Sequence, residues 1–510
     1  MLTPAEELGL SGLALASRVN HALHRLGDAG LIRLTEELRQ GAISRHLVYL
    51  HDGEMEPIRV LPAPITVLPN QLSYIHYVTL AVQNALKRLP QLYLHDENVQ
   101  EILRLPDAEE VWLRECWGTS QEEHNPVFGR MDALIDFTSP MWKESFRFVE
   151  PNLSGIGGLH VIPTSERLVA DLVVPALRQQ DPELQLEVGY DIRELLTQEI
   201  LDHMAAIGAA NQLCLIEAKY ATDGPDEQVQ LARYFRDRHG LTVMHADPAE
   251  LELHRGEVYY GGQRVDVGYR DYSVTELLEL AEEGVDIEPI RTLLRQNRLI
   301  SSIAADLDQK SCWEVLTDPL ICQQYFSPEE RLVFQRHILW TRVLSDRRTV
   351  LPDGHLGALL DYVDTQHESL VLKPNRSYGG DGIVLGCAVT QSEWRAAVDT
   401  ALNDPDRWVV QQLATIPVRE FPVLGPDGGI HAEPFYTVMG FAASQQGLAI
   451  LARASQKQVV NVAQHGGLCA VMVSHFTPPI GDATVRGMAA TGALPGNLHL
   501  PLTKSSPLQK

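Results

Sequence analysis

The sequence predicts a mixed α/β protein of about three domains, and three observations lead to this prediction. The chain has 510 residues, too many for one compact core. The segments 127–137 and 145–153 are rich in apolar residues and have the composition of two paired strands. Residues 211–246 follow the order strand, helix, strand, which predicts a parallel sheet because parallel strands need a crossover of this kind.

The helical elements come first in chain order. Residues 1–55 and 66–116 carry helical patterns of apolar residues. The helix of the middle region has a proline near its start and a glycine at its end, and it is expected to bury Val229, Ala232 and Phe235 along one face.

The later elements alternate between hairpin, helix and strand. Residues 257–267 predict a hairpin that turns at Gly261 and Gly262, and residues 286–318 have a helical pattern. Strands then return at “SLVLKPN”, “IVLG”, “WVVQQL”, “GLAILARAS” and “VVNVA”. Residues 481–510 are rich in Pro, Gly, Thr and Ser, so they are expected to form a mobile tail.

Charge and cysteine content narrow the class of function. The formal net charge of −25 disfavours nucleic acid and anionic membranes as partners, so an anionic ligand needs locally clustered cations. No apolar run reaches the roughly 18 residues of a membrane helix, and residues 1–20 lack a signal-peptide pattern. The six cysteines are scattered without a CxxC pair, which favours a reducing cytoplasm over disulfides or a zinc site.

A lysine followed by glycines is the first candidate for a ligand site. In “VLKPNRSYGGDGIVLG”, Lys373 ends an apolar strand and Gly379, Gly380 and Gly382 follow it. Glycines let backbone N–H groups approach a phosphate closely, and the lysine would supply a positive charge. The alternative is a hairpin with a glycine turn and a solvated lysine. A P-loop is excluded because its lysine follows the glycines.

Paired carboxylates on the two early strands form the second candidate site. Residues two apart share one face of a strand, so Arg130 points with Asp132, and Glu150 points with Asn152. Two carboxylates roughly 5 Å apart repel by about 3 kcal/mol at an effective dielectric constant of about 20, so a cation should lie between them. Oxygen ligands of this kind suit Mg²⁺. The alternative is an ordinary ion pair between Arg130 and Asp132.

Two further cations are weaker candidates. Lys310 lies near the start of a helix in “ADLDQKSCWEVLTD”, and Arg453 lies on a late strand ahead of another glycine pair. A solvated surface position is the alternative for each.

Taken in order, these segments resemble the circularly permuted ATP-grasp proteins, the group that contains glutathionylspermidine synthase-like proteins. The segments are “FGRMDALIDF”, “FRFVEPN”, “DLDQKSCWEVLTD”, “LVLKPNRSYGGDGIVLG”, “WVVQQL” and “LARASQKQVVNVAQHGG”. The resemblance spans residues 66–480, and in this family the metal-binding carboxylates precede the nucleotide lobe, as they do here.

The resemblance implies a role for each candidate residue. Asp132, Glu150 and Asn152 would hold Mg²⁺. Arg130 would steady the transferring phosphoryl group. Lys373 would touch the ATP phosphates, and Gly379, Gly380 and Gly382 would form the flexible lid over them. Lys310 would be a further lysine on the nucleotide side, and Gln411 and Gln412 would be contacts at the hinge that meets adenine. Arg453 is expected to be a second catalytic arginine.

The resemblance also implies domains and an activity. The expected division begins with an N-terminal helical region, 1–65, and an ATP-grasp part that carries the carboxylates, 66–165. A Rossmann-like substrate-side domain, 166–305, and a nucleotide-binding lobe, 306–480, follow. The tail is 481–510. The implied activity is an ATP-dependent ligase that joins a carboxylate to an amine through an acyl phosphate. The alternatives are a kinase of the same fold and a non-catalytic nucleotide-binding module. The expected partners are ATP, Mg²⁺ and small carboxylate and amine substrates, and a homo-oligomer is compatible with the sequence.

Overall fold

The computed structural model describes residues 4–377, 382–404, 407–457 and 466–474. These residues form a mixed α/β structure with several sheets, as the sequence predicts. The predicted tail 481–510 lies outside the described residues, and so does the whole of the predicted strand “VVNVA”.

The largest sheet is antiparallel and carries the predicted carboxylates. Its strands, from one edge to the other, are Gly467–Cys469, Gly447–Ser455, Ile430–Ser444, Arg130–Leu134 and Arg147–Asn152, and Val418–Leu424 also pairs with Ile430–Ser444. We call it the central sheet. The pairing of Arg130–Leu134 with Arg147–Asn152 confirms the predicted strand pair. Strands from the early and late chain are neighbours, so the sheet is completed only by long-range contacts.

The middle of the chain contains a parallel sheet, which confirms the strand–helix–strand prediction. Its strands, in order, are Leu299–Ile300, Val267–Arg270, Gln212–Ile216 and Thr242–Ala246. The crossover helix Gln228–His239 ends at Gly240, whose φ of 64° suits the left-handed cap that glycine favours. The predicted hairpin is also present, since Tyr260 pairs with Gln263 around the two glycines.

A second antiparallel sheet has a hydrophobic core of its own. Its strands, in order, are Thr341–Val343, Trp408–Gln412, Leu370–Pro374 and Val384–Leu385. We call it the lysine sheet, because Lys373 lies on it. Helices Leu359–Thr365 and Gln391–Asn403 bring Val363 and Trp394 into a core that is separate from the main one. This lobe therefore packs as a unit beside the rest of the molecule.

Helices cover the remaining surfaces of the sheets. The long N-terminal helix Pro4–Ser44 has a kink at Gly27 and packs against Val161–Gln180. The other α-helices are Pro69–Leu86, Leu89–His95, Glu97–Leu103, Asp107–Cys116, Thr119–Glu123, Trp142–Ser145, Ile192–Ile207, Val274–Glu282, Glu288–Arg295, Cys312–Thr317, Pro319–Tyr325 and Pro328–His337. None of the helices in the described ranges has the length and apolar character needed to span a membrane.

Short strands complete the fold. Three small sheets consist of Glu54–Pro57, Val48–His51 and Gly224–Pro225; Leu251–His254, Glu257–Tyr260 and Gln263–Arg264; and Ile65–Val67, Val471–Val473 and Glu187–Val188. Arg348–Val350 pairs with Leu356–Ala358.

Three local predictions were wrong. The helical prediction for residues 1–55 fails at its end, because residues 48–57 form a hairpin. Its Asp52–Gly53 turn has positive φ at both residues, the geometry that Asp-Gly favours. Val229 is 46% exposed, because the buried face of its helix is instead Gln228, Leu231, Ala232 and Phe235. The helical segment 286–318 contains the strand Leu299–Ile300, which is too short to show a period of its own.

Candidate active site

The predicted carboxylates lie opposite each other in the central sheet. Asp132 pairs with Glu150, and Arg130 pairs with Asn152, across the two antiparallel strands. Directly opposed residues project to the same face of a sheet, so the four side chains form one group. The register shifts between Asp132 and Ala133, just beyond this group.

Two arginines surround Asp132. Its Oδ1 lies 3.2 Å from Arg130 Nε, and its Oδ2 lies 2.5 Å from Arg453 Nη2. Burial alone would raise the pKa of the Asp132 carboxyl, but Arg453 and Arg130 more than offset it and hold the pKa below its usual value. The ion pair between Arg130 and Asp132, which the sequence left as an alternative to a metal site, is therefore present. Arg453 forms a second ion pair with the same carboxylate.

Close packing fixes the position of Arg130. Its Nη1 donates to the carbonyl oxygen of Gly157 at 2.6 Å, and its side chain crosses Gly440 on the neighbouring strand. A Cβ at Gly440 would lie 2.6 Å from Arg130 Cδ, closer than carbon atoms pack. The missing side chain at Gly440 thus makes room for Arg130.

Lys373 is buried in the lysine sheet beside Gln411. The lysine is 5% exposed, and its Nζ donates to Gln411 Oε1 at 2.8 Å. Burial lowers the pKa of Lys373 to about 8, although the charge of Glu150 acts in the opposite direction. The adjacent Gln412 is exposed, and its backbone N–H donates to the carbonyl oxygen of Trp340.

Lys310 connects the two sheets. Its Nζ lies 3.7 Å from Glu150 Oε2 and donates to the carbonyl oxygen of Ser377 at 2.5 Å. Ser377 is the last described residue before the gap that contains Gly379 and Gly380, which lie outside the described residues. Gly382 has φ of 73°, and a Cβ there would lie 2.8 Å from Pro374 Cγ, so this position requires glycine.

A cavity of about 740 Å³ joins most of these residues. The predicted site residues in its lining are Arg130, Asp132, Glu150, Asn152, Lys373, Gln411, Gln412 and Arg453. Lys310 instead lines a cavity of about 20 Å³ that also contacts Glu150. Gly382 lines neither of these two cavities. Residues that are distant in sequence thus share one cavity, as in the pair Asp132–Arg453 with its separation of 321.

A further part of the lining of this cavity is acidic, and the sequence prediction missed it. We define the acidic wall as Glu217, Asp223, Asp226, Glu227, Asp271 and Glu276. Glu217 and Asp271 directly follow two strands of the parallel sheet, at the carboxyl ends where ligands bind in such sheets. Burial and the charges of Glu217 and Glu227 raise the pKa of the Asp271 carboxyl to about 7. Strand ends of this kind can be recognised in a sequence. The sequence does not show, however, that these two strand ends lie in the same cavity as Asp132 and Glu150.

An apolar part of the lining was also missed. It consists of Val149, Leu339, Val371, Ile383, Leu385, Leu413 and Ile416. These residues lie around the lysine sheet, and Leu413 and Ile416 follow the strand that carries Gln411. A flat apolar group placed here would lie next to Lys373.

The oxygen atoms present fit a magnesium ion shared with a ligand. Glu150 keeps 28% of its side chain exposed, and Asn152 donates its amide nitrogen to the carbonyl oxygen of Arg130 at 3.3 Å, so that its amide oxygen remains as a potential ligand. Both oxygens of Asp132 already contact arginines. Within the described residues, no group of three or more His, Cys, Asp or Glu side chains is arranged to hold a metal. Mg²⁺ commonly uses one or two carboxylates and takes its other ligands from phosphates and water.

The similarity of this protein to known proteins lies in its structure. No protein-family model matches the sequence, and no curated protein matches it. The structure is similar to the apo form of a glutathione synthetase-like effector from Globodera pallida, with a TM-score of 0.59 and 11% sequence identity. The match covers 86% of this chain and 96% of that chain. At this identity, the similarity establishes a common fold over most of both chains and no more.

Proposed function

We propose that this protein is an ATP-dependent carboxylate–amine ligase with a circularly permuted ATP-grasp fold. The observation that carries the proposal is the cavity in which Lys373, the Asp132–Glu150 pair and the acidic wall meet. A ligase of this class must hold an anionic nucleotide, a carboxylate and an amine together, and the cavity offers a cationic side and an acidic side. The fold shared with a glutathione synthetase-like protein supports the same class.

The cationic side suits the phosphates of ATP. Phosphoryl transfer depends mainly on positioning and on neutralising the charge of the transferring group. Lys373, Arg130 and Arg453 line the cavity and supply that charge without any nucleophilic side chain. Because Arg130 and Arg453 also hold Asp132, their guanidinium groups are already oriented before a ligand arrives.

Glu150 and Asn152 would hold Mg²⁺ next to these phosphates. The ion, when bound, neutralises phosphate charge and orients the terminal phosphate. Lys310, 3.7 Å from Glu150, would limit the freedom of that carboxylate. The apolar residues around Val371, Ile383 and Leu385 are suited to the adenine ring.

The proposed reaction has two steps. A carboxylate oxygen of the substrate bonds to the γ-phosphorus as the bond between this phosphorus and the bridging β,γ-oxygen breaks, so ADP leaves. The amine nitrogen then bonds to the acyl carbon, inorganic phosphate leaves, and the amine gives up a proton. Acceptor groups for that proton line the acidic wall, which would also attract a protonated amine. A kinase would need a carboxylate for the proton of its hydroxyl substrate but no site for an amine. We further propose that the reaction takes place in the cytoplasm, in line with the scattered cysteines.

Calorimetric titration with ATP, with and without Mg²⁺, is the first test. We expect binding that Mg²⁺ strengthens, and we expect Lys373→Met to weaken it at least tenfold. Lys143→Met, which removes an exposed lysine on helix Trp142–Ser145, should change nothing. A screen of carboxylates and amines should then reveal ADP release that needs both. Release of ADP with a stable phosphorylated product would favour a kinase, and absence of ATP binding would overturn the proposal.

A further inference from the structure

Three hydrogen bonds fix the side chain of Gln411 beside Lys373, and a fourth orients the hydroxyl of Thr341 that takes part in them. The hydroxyl of Thr341 donates to the carbonyl oxygen of Leu339 at 2.9 Å, so its oxygen is the acceptor for Gln411 Nε2, also at 2.9 Å. Gln411 Nε2 donates in addition to the carbonyl oxygen of Val149 at 3.2 Å. Its Oε1 accepts from Lys373 Nζ at 2.8 Å.

These bonds allow one orientation of the Gln411 amide. A carbonyl oxygen only accepts and an ammonium only donates, so the amide nitrogen must face Val149 and the amide oxygen must face Lys373. Gln411 is 1% exposed, and both N–H groups of its amide are engaged. Its side chain is therefore committed to protein partners and has no donor left for an adenine ring.

The same bonds connect the two sheets of the site. Gln411 and Lys373 lie on adjacent strands of the lysine sheet, whereas Val149 directly precedes Glu150 on the central sheet. A displacement of either sheet would change the length of the bond between Gln411 and Val149. Lys373 has three N–H groups, and the described residues take one of them in a hydrogen bond, so the rest are available for a ligand.

We propose that Gln411 is a positioning residue, with Thr341 behind it, that directs the Lys373 ammonium at the ATP phosphates and keeps it in register with Glu150. This inference rests on the proposed function and replaces the predicted adenine contact of Gln411. The residue acts on the nucleotide only through Lys373. Its effect should therefore appear with ATP and be absent with adenosine.

A double-mutant cycle with two ligands tests this role. Gln411→Met keeps the length of the side chain and removes its polar atoms. We expect it to weaken the binding of Mg²⁺-ATP about tenfold, which is about 1.4 kcal/mol at 25 °C, and to leave adenosine binding unchanged. In a Lys373→Met background, the same substitution should cost nothing further, because the group it positions is gone.

Thr341 provides a second pair of variants in case Gln411→Met does not fold. Thr341→Val removes the acceptor for Gln411 and should weaken ATP binding, whereas Thr341→Ser keeps the hydroxyl and should restore it. Equal losses of ATP and adenosine affinity in Gln411→Met would overturn the inference in favour of an adenine contact. Unchanged ATP affinity in both Gln411→Met and Thr341→Val would overturn it as well. If the unaltered protein binds no ATP, the proposed function itself has failed.

Discussion

Arg453 contacts Asp132 across the width of one strand: Nη2 and Oδ2 are 2.5 Å apart, and the strand Ile430–Ser444 lies between their own strands. Asp132 contacts Arg130 on its other side. One buried carboxylate therefore neutralises part of the charge of two guanidinium groups. This arrangement makes Asp132 a structural centre of the site as well as a predicted metal ligand.

We expect Asp132→Asn to destabilise the protein more than Arg453→Met. Removing the carboxylate leaves two buried arginines facing each other, at a cost of roughly 3–5 kcal/mol, whereas removing Arg453 leaves Asp132 with Arg130 as a partner. The free energies of unfolding can be measured in urea. Small and equal losses of stability in the two variants would mean that the ion pairs contribute little.

Gly440→Ala should displace Arg130. The new methyl group would meet Arg130 Cδ, and overpacking of this kind typically costs about 1–3 kcal/mol. We also expect ATP turnover to fall at least tenfold, because Arg130 would lose its bonds to Asp132 and Gly157. The control is Arg130→Ala combined with Gly440→Ala, which should cost no more stability than Arg130→Ala alone. If the losses of stability in the two single variants add in the double variant, the new methyl group clashes with a residue other than Arg130.

Stability should fall as pH rises through about 7, in part because of Asp271. The pKa of its carboxyl is raised to about 7 in the folded protein, whereas an unfolded aspartate titrates near 4. The folded state binds this proton more tightly, so its contribution to stability is complete below pH 4 and is lost as pH rises through 7.

The substitution Asp271→Asn isolates this contribution. It should raise the melting temperature at pH 8 and reduce the gain in melting temperature between pH 8 and pH 6. Asp237→Asn changes an exposed aspartate on the crossover helix and should have the same melting temperatures as the unaltered protein at both pH values. Identical pH profiles for Asp271→Asn and the unaltered protein would contradict the assignment.

Glu150→Gln should remove most of the effect of Mg²⁺ on ATP binding. The amide keeps the shape of the side chain but lacks the charge that a hard cation needs. We expect ATP affinity with Mg²⁺ to fall about tenfold and ATP affinity without Mg²⁺ to change little. Glu144→Gln is the matched control, since Glu144 is exposed and pairs with Arg336 instead. If Glu150→Gln retains the full effect of Mg²⁺ on ATP binding, the metal ion binds somewhere other than the central sheet.

The sequence was informative where local patterns decide the structure. The apolar composition of the segments around Asp132 and Glu150 was enough to predict that the two strands pair, and Gly240 marked the end of the crossover helix. The helix face was assigned wrongly because Val229 and Leu231 are both apolar, and only the position of the sheet decides which of them is buried.

The site was less accessible to sequence reasoning than the fold. Gln411 was predicted as a site residue from the resemblance of “WVVQQL” to a family motif, but its hydrogen bonds to Lys373 and Val149 depend on how two sheets approach each other. The acidic wall is distributed over residues 217–276, and nothing in that stretch specifies which residues face the carboxylate pair. Contacts between distant segments carry this information, and a single sequence does not display them.

The order of strands in the central sheet has a consequence for how the protein is made. Strand Arg130–Leu134 pairs on one side with Ile430–Ser444, so this pairing can form only after Ile430–Ser444 has left the ribosome. At about 5–20 residues per second, translation of the intervening chain takes roughly 15–60 s. During that interval the hairpin with Asp132 and Glu150 has an unpaired edge, and unpaired edges promote aggregation. The charged side chains of this hairpin, Arg130, Asp132 and Glu150, are of the kind that discourages pairing with other chains at an exposed edge until the second half of the sheet is made.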